Sequence, residues 1–278
     1  MKRIAQGVFL ENKYRSVHLG AIATSAGLLL VDSPLRLEDG RLWSVQLADL
    51  GQPAFLALMD HNHDRVLGAR GFNIPRVAHE VTRRIMMEWS DSFKGSAHPM
   101  GADADSLKRI TGVSDAVPEV CFSEEMVMHL GDRQIHFWHR PGPTAGSMWV
   151  VLPEVNLVFI GDTVANTEPP YLADADIPAW LDCLDELRSA SFRDHKLVSA
   201  RDGLVDRKAL NDMARFIRRV DHRIGKLVGR GAEPEEAAAS AKALIKSYKV
   251  PASREKQMLL RLQAGMAGLY TRLHPPQE

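Results

Sequence analysis

Asp60-His61-Asn62-His63-Asp64-Arg65 sets two carboxylates, an amide, two imidazoles and a guanidinium on consecutive residues. His61 and His63 have the His-x-His spacing of metal ligands. Without a metal, Asp60 or Asp64 could act as a base while Arg65 stabilises an oxyanion. Two more polar groups stand at the ends of apolar runs: Asp162 in Phe159-Ile160-Gly161-Asp162-Thr163, and Arg201-Asp202 in Lys196–Gly203. Other chemistries lack their residues. Ser147 has no Gly-x-Ser-x-Gly elbow, and neither a Gly-x-Gly-x-x-Gly fingerprint nor a phosphate-binding P-loop occurs. Cys121 and Cys183 form no CxxC pair and read as packing residues.

The elements that must position these groups fall into two zones. Up to about residue 204, short apolar runs alternate with turns. Leu28–Asp32, Phe55–Met59, Met148–Leu152 and Leu157–Ile160 read as buried strands, and Asp132–Trp138 as a half-exposed one. Helical spacing is expected over Val77–Trp89, with Val77, Val81 and Ile85 on one face, and over Pro178–Leu187. From Asp206, a helix cap, the period is helical throughout: Leu210, Met213, Ile217, Val220, Ile224 and Leu227. Gly229 and Gly231 break that helix and Pro234 opens the next. Pro251 ends it, and Ser253 is placed to cap a third. The 278 residues carry no net charge, which argues against nucleic acid or an anionic membrane as an obligatory partner. No run suggests a signal peptide or membrane span, so a cytoplasmic location is expected.

Five stretches, in chain order, resemble the metallo-β-lactamase fold superfamily. Ala21–Asp32 followed by Ser33-Pro34 is similar to its opening hairpin. Asp60–Gly68 falls where the family has His-x-His-x-Asp-His, with Gly68 in the glycine position. Pro141–Ser147 is similar to the Pro-Gly-His-Thr-x-Gly-Ser turn, Phe159–Thr163 to the strand ending in Gly-Asp, and Lys196–Gly203 to the strand ending in Gly-His-Gly. The resemblance covers roughly residues 5 to 204 and implies an α/β protein, an αβ/βα four-layer sandwich. Residues 1–204 would form its core, and residues 205–278 a helical segment on the same domain, as a cover, a lid or an oligomer interface.

The resemblance also implies a di-zinc hydrolase, and here the residues depart from it. In the register of Gly68, Asp60 and Asn62 stand where two His ligands belong, and Arg65 where a third does. Pro143 replaces the His of the turn, and Arg201 or Asp202 the last one. Only Asp64 and Asp162 keep their family identity, so no classical di-zinc centre is expected. His61 and His63 fall on non-ligand positions beside the cleft. Arg65 and Arg201 can supply beside Asp64 and Asp162 the positive charge that a metal otherwise brings. Asp60, Asp64, Asp162 and Asp202 outnumber those two cations. The remainder could be met by one divalent metal on Asp60, Asn62, Asp64, Asp162 and Asp202, by Arg140, by solvent, or by a protonated carboxyl. Two readings stay open. One is a hydrolase or lyase working through an altered site with Asp60, Asp64 and Arg65. The other is a non-catalytic relative whose cleft binds a small molecule or a partner, with homo-oligomers compatible with either.

Overall fold

The computed structural model describes residues 1–274. Seven strands form the first sheet. They are β1 (Lys2–Ala5), β2 (Val8–Glu11), β3 (Leu19–Thr24), β4 (Gly27–Val31), β5 (Pro53–Ala57), β6 (Arg76–His79) and, beyond the small pair β7 (Ser92–Phe93) and β8 (Ile110–Thr111), β9 (Val120–Phe122). The meander β1 to β4 is antiparallel, whereas β4, β5, β6 and β9 run parallel. The second sheet takes β10 (Glu125–Leu130), β11 (Arg133–His139), β12 (Met148–Leu152), β13 (Leu157–Phe159), β14 (Lys196–Ser199) and β15 (Gly203–Val205) in sequence order. Only its β13–β14 pair is parallel.

Alternation along the strands builds the layers. Leu29 and Val31 of β4 meet Val150 and Leu152 of β12 in the core between the sheets. Their neighbours point outward. Leu28 and Leu30 pack under Trp43 and Leu47 of α1 (Leu37–Leu47), and Trp149 and Val151 under α4 (Ile177–Arg188) and the C-terminal helices. The result is helix, sheet, sheet, helix: the four-layer αβ/βα sandwich. The outer cluster of the second sheet is continuous with α5 (Arg207–Val228), α6 (Pro234–Leu244) and α7 (Glu255–Leu273). No described helix is long and apolar enough to cross a membrane.

Some boundaries differ from expectation: α6 ends at Leu244, followed by a short 3₁₀ turn, and not at Pro251. The run from Val77 is not helical at its start. Val77, Ala78 and His79 pair with β9, and the His79 side chain then caps α3 (Glu80–Met87). The helix buries Thr82 and Met86, not the Val81–Ile85 face, because a strand and a helix abut here without a turn residue to separate them. Ser253 does not cap α7; it lies within a short 3₁₀ turn, Ala252–Arg254, that leads into the helix. Asp206 does cap α5, accepting from Ala209 N at 2.8 Å.

Candidate functional site

The site gathers at the C-terminal ends of β4, β5, β13 and β14, where the chain leaves the sheets and backbone groups are free to bind side chains. Asp32 follows β4 in the left-handed region (φ 59°), which turns its Oδ1 onto Met59 N at 3.1 Å. Asp60 Oδ1 accepts from Asn62 N (2.8 Å), and Asn62 Oδ1 accepts from Asp64 N (3.0 Å), capping the one-turn helix α2 (His63–Val66). Gly68 is obligatory just beyond it: a Cβ there would lie 1.6 Å from the Pro34 carbonyl oxygen. That close approach lets Ser33 donate to the Arg65 carbonyl from both its backbone (3.1 Å) and its hydroxyl (2.6 Å). Arg65 is thereby fixed from behind.

The Arg65 guanidinium is fully buried among three carboxylates. Nη1 donates to Asp162, Nη2 to Asp60, and Nε lies 3.5 Å from Asp32 Oδ2. Burial opposes its charge, but Asp162, Asp60 and Asp32 more than offset this and keep it ionised. Arg201 completes the cluster. Its Nε and Nη2 reach the two oxygens of Asp162 at 2.9 and 3.2 Å, and Nη1 donates to Ser16 O at 2.8 Å. Burial alone would raise the Asp162 pKa; Arg201 and Arg65 reverse this and hold the carboxyl well below the usual carboxylate range. Asp32 shows the opposite balance. Burial pushes it up to about 7, Arg65 opposes, and Asp60 adds to the rise.

Arg201, not Asp202, faces this cluster. Asp202 turns away and accepts from the backbone of Asn166 (2.7 Å) and Thr167 (3.1 Å), so it leaves both the metal set and the charge count expected from sequence. Arg140 leaves too, bound in two-pronged fashion to Glu186. In their place come two residues that the sequence did not bring into the count, Asp32 and Arg261. Arg261 reaches in from α7, donating to Gly101 O at 3.0 Å and standing 3.7 Å from Asp64 Oδ2, which lies 3.6 Å from Arg201. The signal for it was an arginine on the apolar stripe Met258, Leu262, Met266, Leu269, where a charge must have a partner.

Above this ionic floor opens a cleft of about 380 Å³. Asp64, Asp162, Arg201 and Arg261 line its base, with Asn62 and Pro143 beside them. Asp60 and Arg65 do not reach it. His61 and His63 do: His61 lies 3.4 Å from Asp174, and His63 packs against Trp89 and Phe93. Burial pushes His63 down to about 4, so its ring is neutral. Trp89, Met100 and Tyr171 make the walls apolar.

The donors do not match a two-metal set. Asp60 and Asp162 are already bound by guanidinium groups, and among the described residues no three His, Cys, Asp or Glu side chains converge as metal ligands would.

An αβ/βα sandwich with its site at the strand ends defines a class, and the comparisons place the chain within it. The pattern of the metallo-beta-lactamase superfamily matches residues 60–200, just over half of the chain, which therefore belongs to that superfamily. A metallo-beta-lactamase from Pontibacter korlensis is 18% identical with a TM-score of 0.60, over 78% of this chain and 97% of that one. The inverting sec-alkylsulfatase Pisa1 from Pseudomonas sp. is 17% identical with a TM-score of 0.66; 98% of this chain covers 50% of that one. The DIM-1 metallo-beta-lactamase is 15% identical, with a TM-score of 0.60 over 78% of this chain and 95% of that one. The chain thus spans half the length of the alkylsulfatase. At these identities the likeness is one of fold. No curated protein matches the sequence.

Proposed function

We propose that this chain is a divergent superfamily member in which guanidinium groups stand in for the metal centre, and that its cleft binds a small molecule without metal-dependent hydrolysis. The observation that carries this reading is Arg65, fully buried and shared between Asp60 and Asp162. A metal at that position would have to displace a cation held by three carboxylates. Charge balance supports it as well. Asp32, Asp60, Asp64 and Asp162 face Arg65, Arg201 and Arg261, and the raised pKa of Asp32 lets partial protonation reduce the one remaining negative charge. A cleft of about 380 Å³ with a polar base and apolar walls suits a small organic ligand.

Elemental analysis of protein purified without a metal-affinity step tests the reading. No stoichiometric metal, no thermal shift on adding Zn²⁺, Mn²⁺ or Mg²⁺, and no turnover of β-lactam, thioester or sulfate-ester substrates are expected. A full equivalent of metal, removable by chelator with a fall in melting temperature, would overturn it. Arg65→Met supplies an independent arm. It strands buried carboxylates, so a loss on the order of 3–5 kcal/mol in denaturant unfolding is expected.

A further inference from the structure

Arg218, Arg219, His222, Arg223, Lys226 and Arg230 line one side of an open groove of about 1150 Å³ between α5 and α6. The whole chain is neutral, so this is a segregation of charge and not overall basicity. In the first half of α5, Lys208 and Arg215 both pair with Asp212. Farther along, pairing stops. Arg230 meets Glu236 at 2.5 Å, but Arg218, Arg219, Arg223 and Lys226 form no salt bridge among the described residues. Asp221 lies on the same helix outside the groove.

The geometry is that of a cradle. Arg219, Arg223, Lys226 and Arg230 recur at i, i+4, i+7 and i+11, a row of neighbours about 6 Å apart running along about 16 Å of chain. Across the groove, α6 presents Glu236, which Arg230 neutralises, and then Ala239, Ser240 and Ala243, side chains too small to fill it. Leu227 and Leu244 form an apolar floor.

We infer that this groove is a docking site for an acidic amphipathic helix of a protein partner. Carboxylates at i, i+4 on such a helix have the spacing of the basic row, guanidinium groups bind carboxylates with two prongs, and the floor accepts small apolar side chains. Other anionic partners fit less well. The groove is larger than most small-molecule pockets and open to solvent. Single-stranded nucleic acid stacks on aromatic side chains, and none lines this surface; a duplex admits a projecting element, whereas this surface is concave. A membrane would call for apolar anchors, but the large exposed apolar side chains, such as Leu42, Val45 and Met87, do not line the groove. No groove residue lines the cleft, so the inference stands apart from the cleft's function.

The probe is a short fluorescein-labelled helical peptide with Glu at i, i+4 and Ala and Leu on the opposite face, with a Lys-for-Glu counterpart as control. Anisotropy titrations should show the acidic peptide binding at low salt and weakening at high salt, and its counterpart not binding. Arg219→Glu combined with Arg223→Glu should weaken binding about tenfold or more, while Lys108→Glu with Arg109→Glu, the same charge change at exposed positions outside the groove, should not. Arg219→Gln with Arg223→Gln gives the same reading in smaller measure if the double reversal unfolds the chain. Absence of binding, binding of the lysine counterpart, or equal weakening by both double reversals would overturn the proposal. So would tighter capture of an oligonucleotide or of phosphatidylserine vesicles, or self-association abolished by the groove variants.

Discussion

Asp32 is the residue through which the charge cluster meets solution pH. Its Oδ2 is buried without a hydrogen bond, and burial lifts its pKa to about 7. Between the unfolded carboxylate value and about 7, the folded chain therefore keeps a proton that the unfolded chain has released. Stability from this group is complete below the unfolded value and is lost as pH rises through 7. Other groups act in the opposite sense, Asp162 and His63 among them. Asp162, held low, loses its contribution only as pH falls below the carboxylate range, and His63, pushed down to about 4, favours the folded state increasingly as pH rises towards 6.5. The comparison that isolates Asp32 is wild type against Asp32→Asn, since Asn tolerates the left-handed backbone there and does not titrate. Urea unfolding should show wild type losing on the order of 1–3 kcal/mol more than the variant between pH 5 and 8. Parallel pH profiles would mean that Asp32 is ionised throughout. Sequence alone placed Arg65 beside Asp162 through the register of Gly68, but it left Asp32 out of the charge count. The hairpin ending in Asp32 was legible; the positive φ that aims its carboxylate at Met59 and Arg65 was not.

At the scale of elements, periodicity carried most of the information. Strands that bury both faces, such as Met148–Leu152, read as continuous apolar runs, and α5 declared itself through its apolar stripe and the Asp206 cap. Less legible was what α7 does at its buried face. Gly265 lets the helix approach so closely that a Cβ there would lie 2.8 Å from Leu172 N, and Arg261 crosses from the same face to Gly101, Glu168 and Asp64. A pairing between residues so far apart in the chain leaves no local pattern. Arg261 therefore acts as a clasp between α7 and the segment 101–104, whose Ala104 N donates to Asp64 at 2.8 Å. Arg261→Met keeps the stem and removes the charge. It is expected to cost about 2–4 kcal/mol, and to speed amide hydrogen exchange at Ala104 more than in the β-sheets. Faster exchange confined to α7, with Ala104 unchanged, would show that the clasp does not hold the cleft.

For the molecule as a whole, the issue is whether the C-terminal helices are a module or part of the core. The superfamily pattern matches residues 60–200 and stops short of the C-terminal helices, although the fold likeness to the alkylsulfatase runs over 98% of the chain. Packing answers differently: Trp149, Val151 and Val158 of the second sheet share one cluster with Leu210, Met213, Ile217 and Val220 of α5, and with Leu262 and Met266 of α7. Burying an aliphatic side chain of this size contributes about 1.5–3 kcal/mol. If the helices came away, all six of the side chains named from α5 and α7 would be returned to water. Arg261 adds a polar tie between the same two parts. Full-length protein should accordingly unfold in one transition, with near-ultraviolet and far-ultraviolet circular dichroism coinciding. A chain ending at residue 204 should lose its near-ultraviolet signal and bind a hydrophobic dye, since it would expose the outer face of β12 and β13. A soluble 1–204 fragment with a sharp melt of its own would instead make the helices an appended domain. In that case the clasp at Arg261 would join two units that fold separately, and the cleft floor would have to hold together without it.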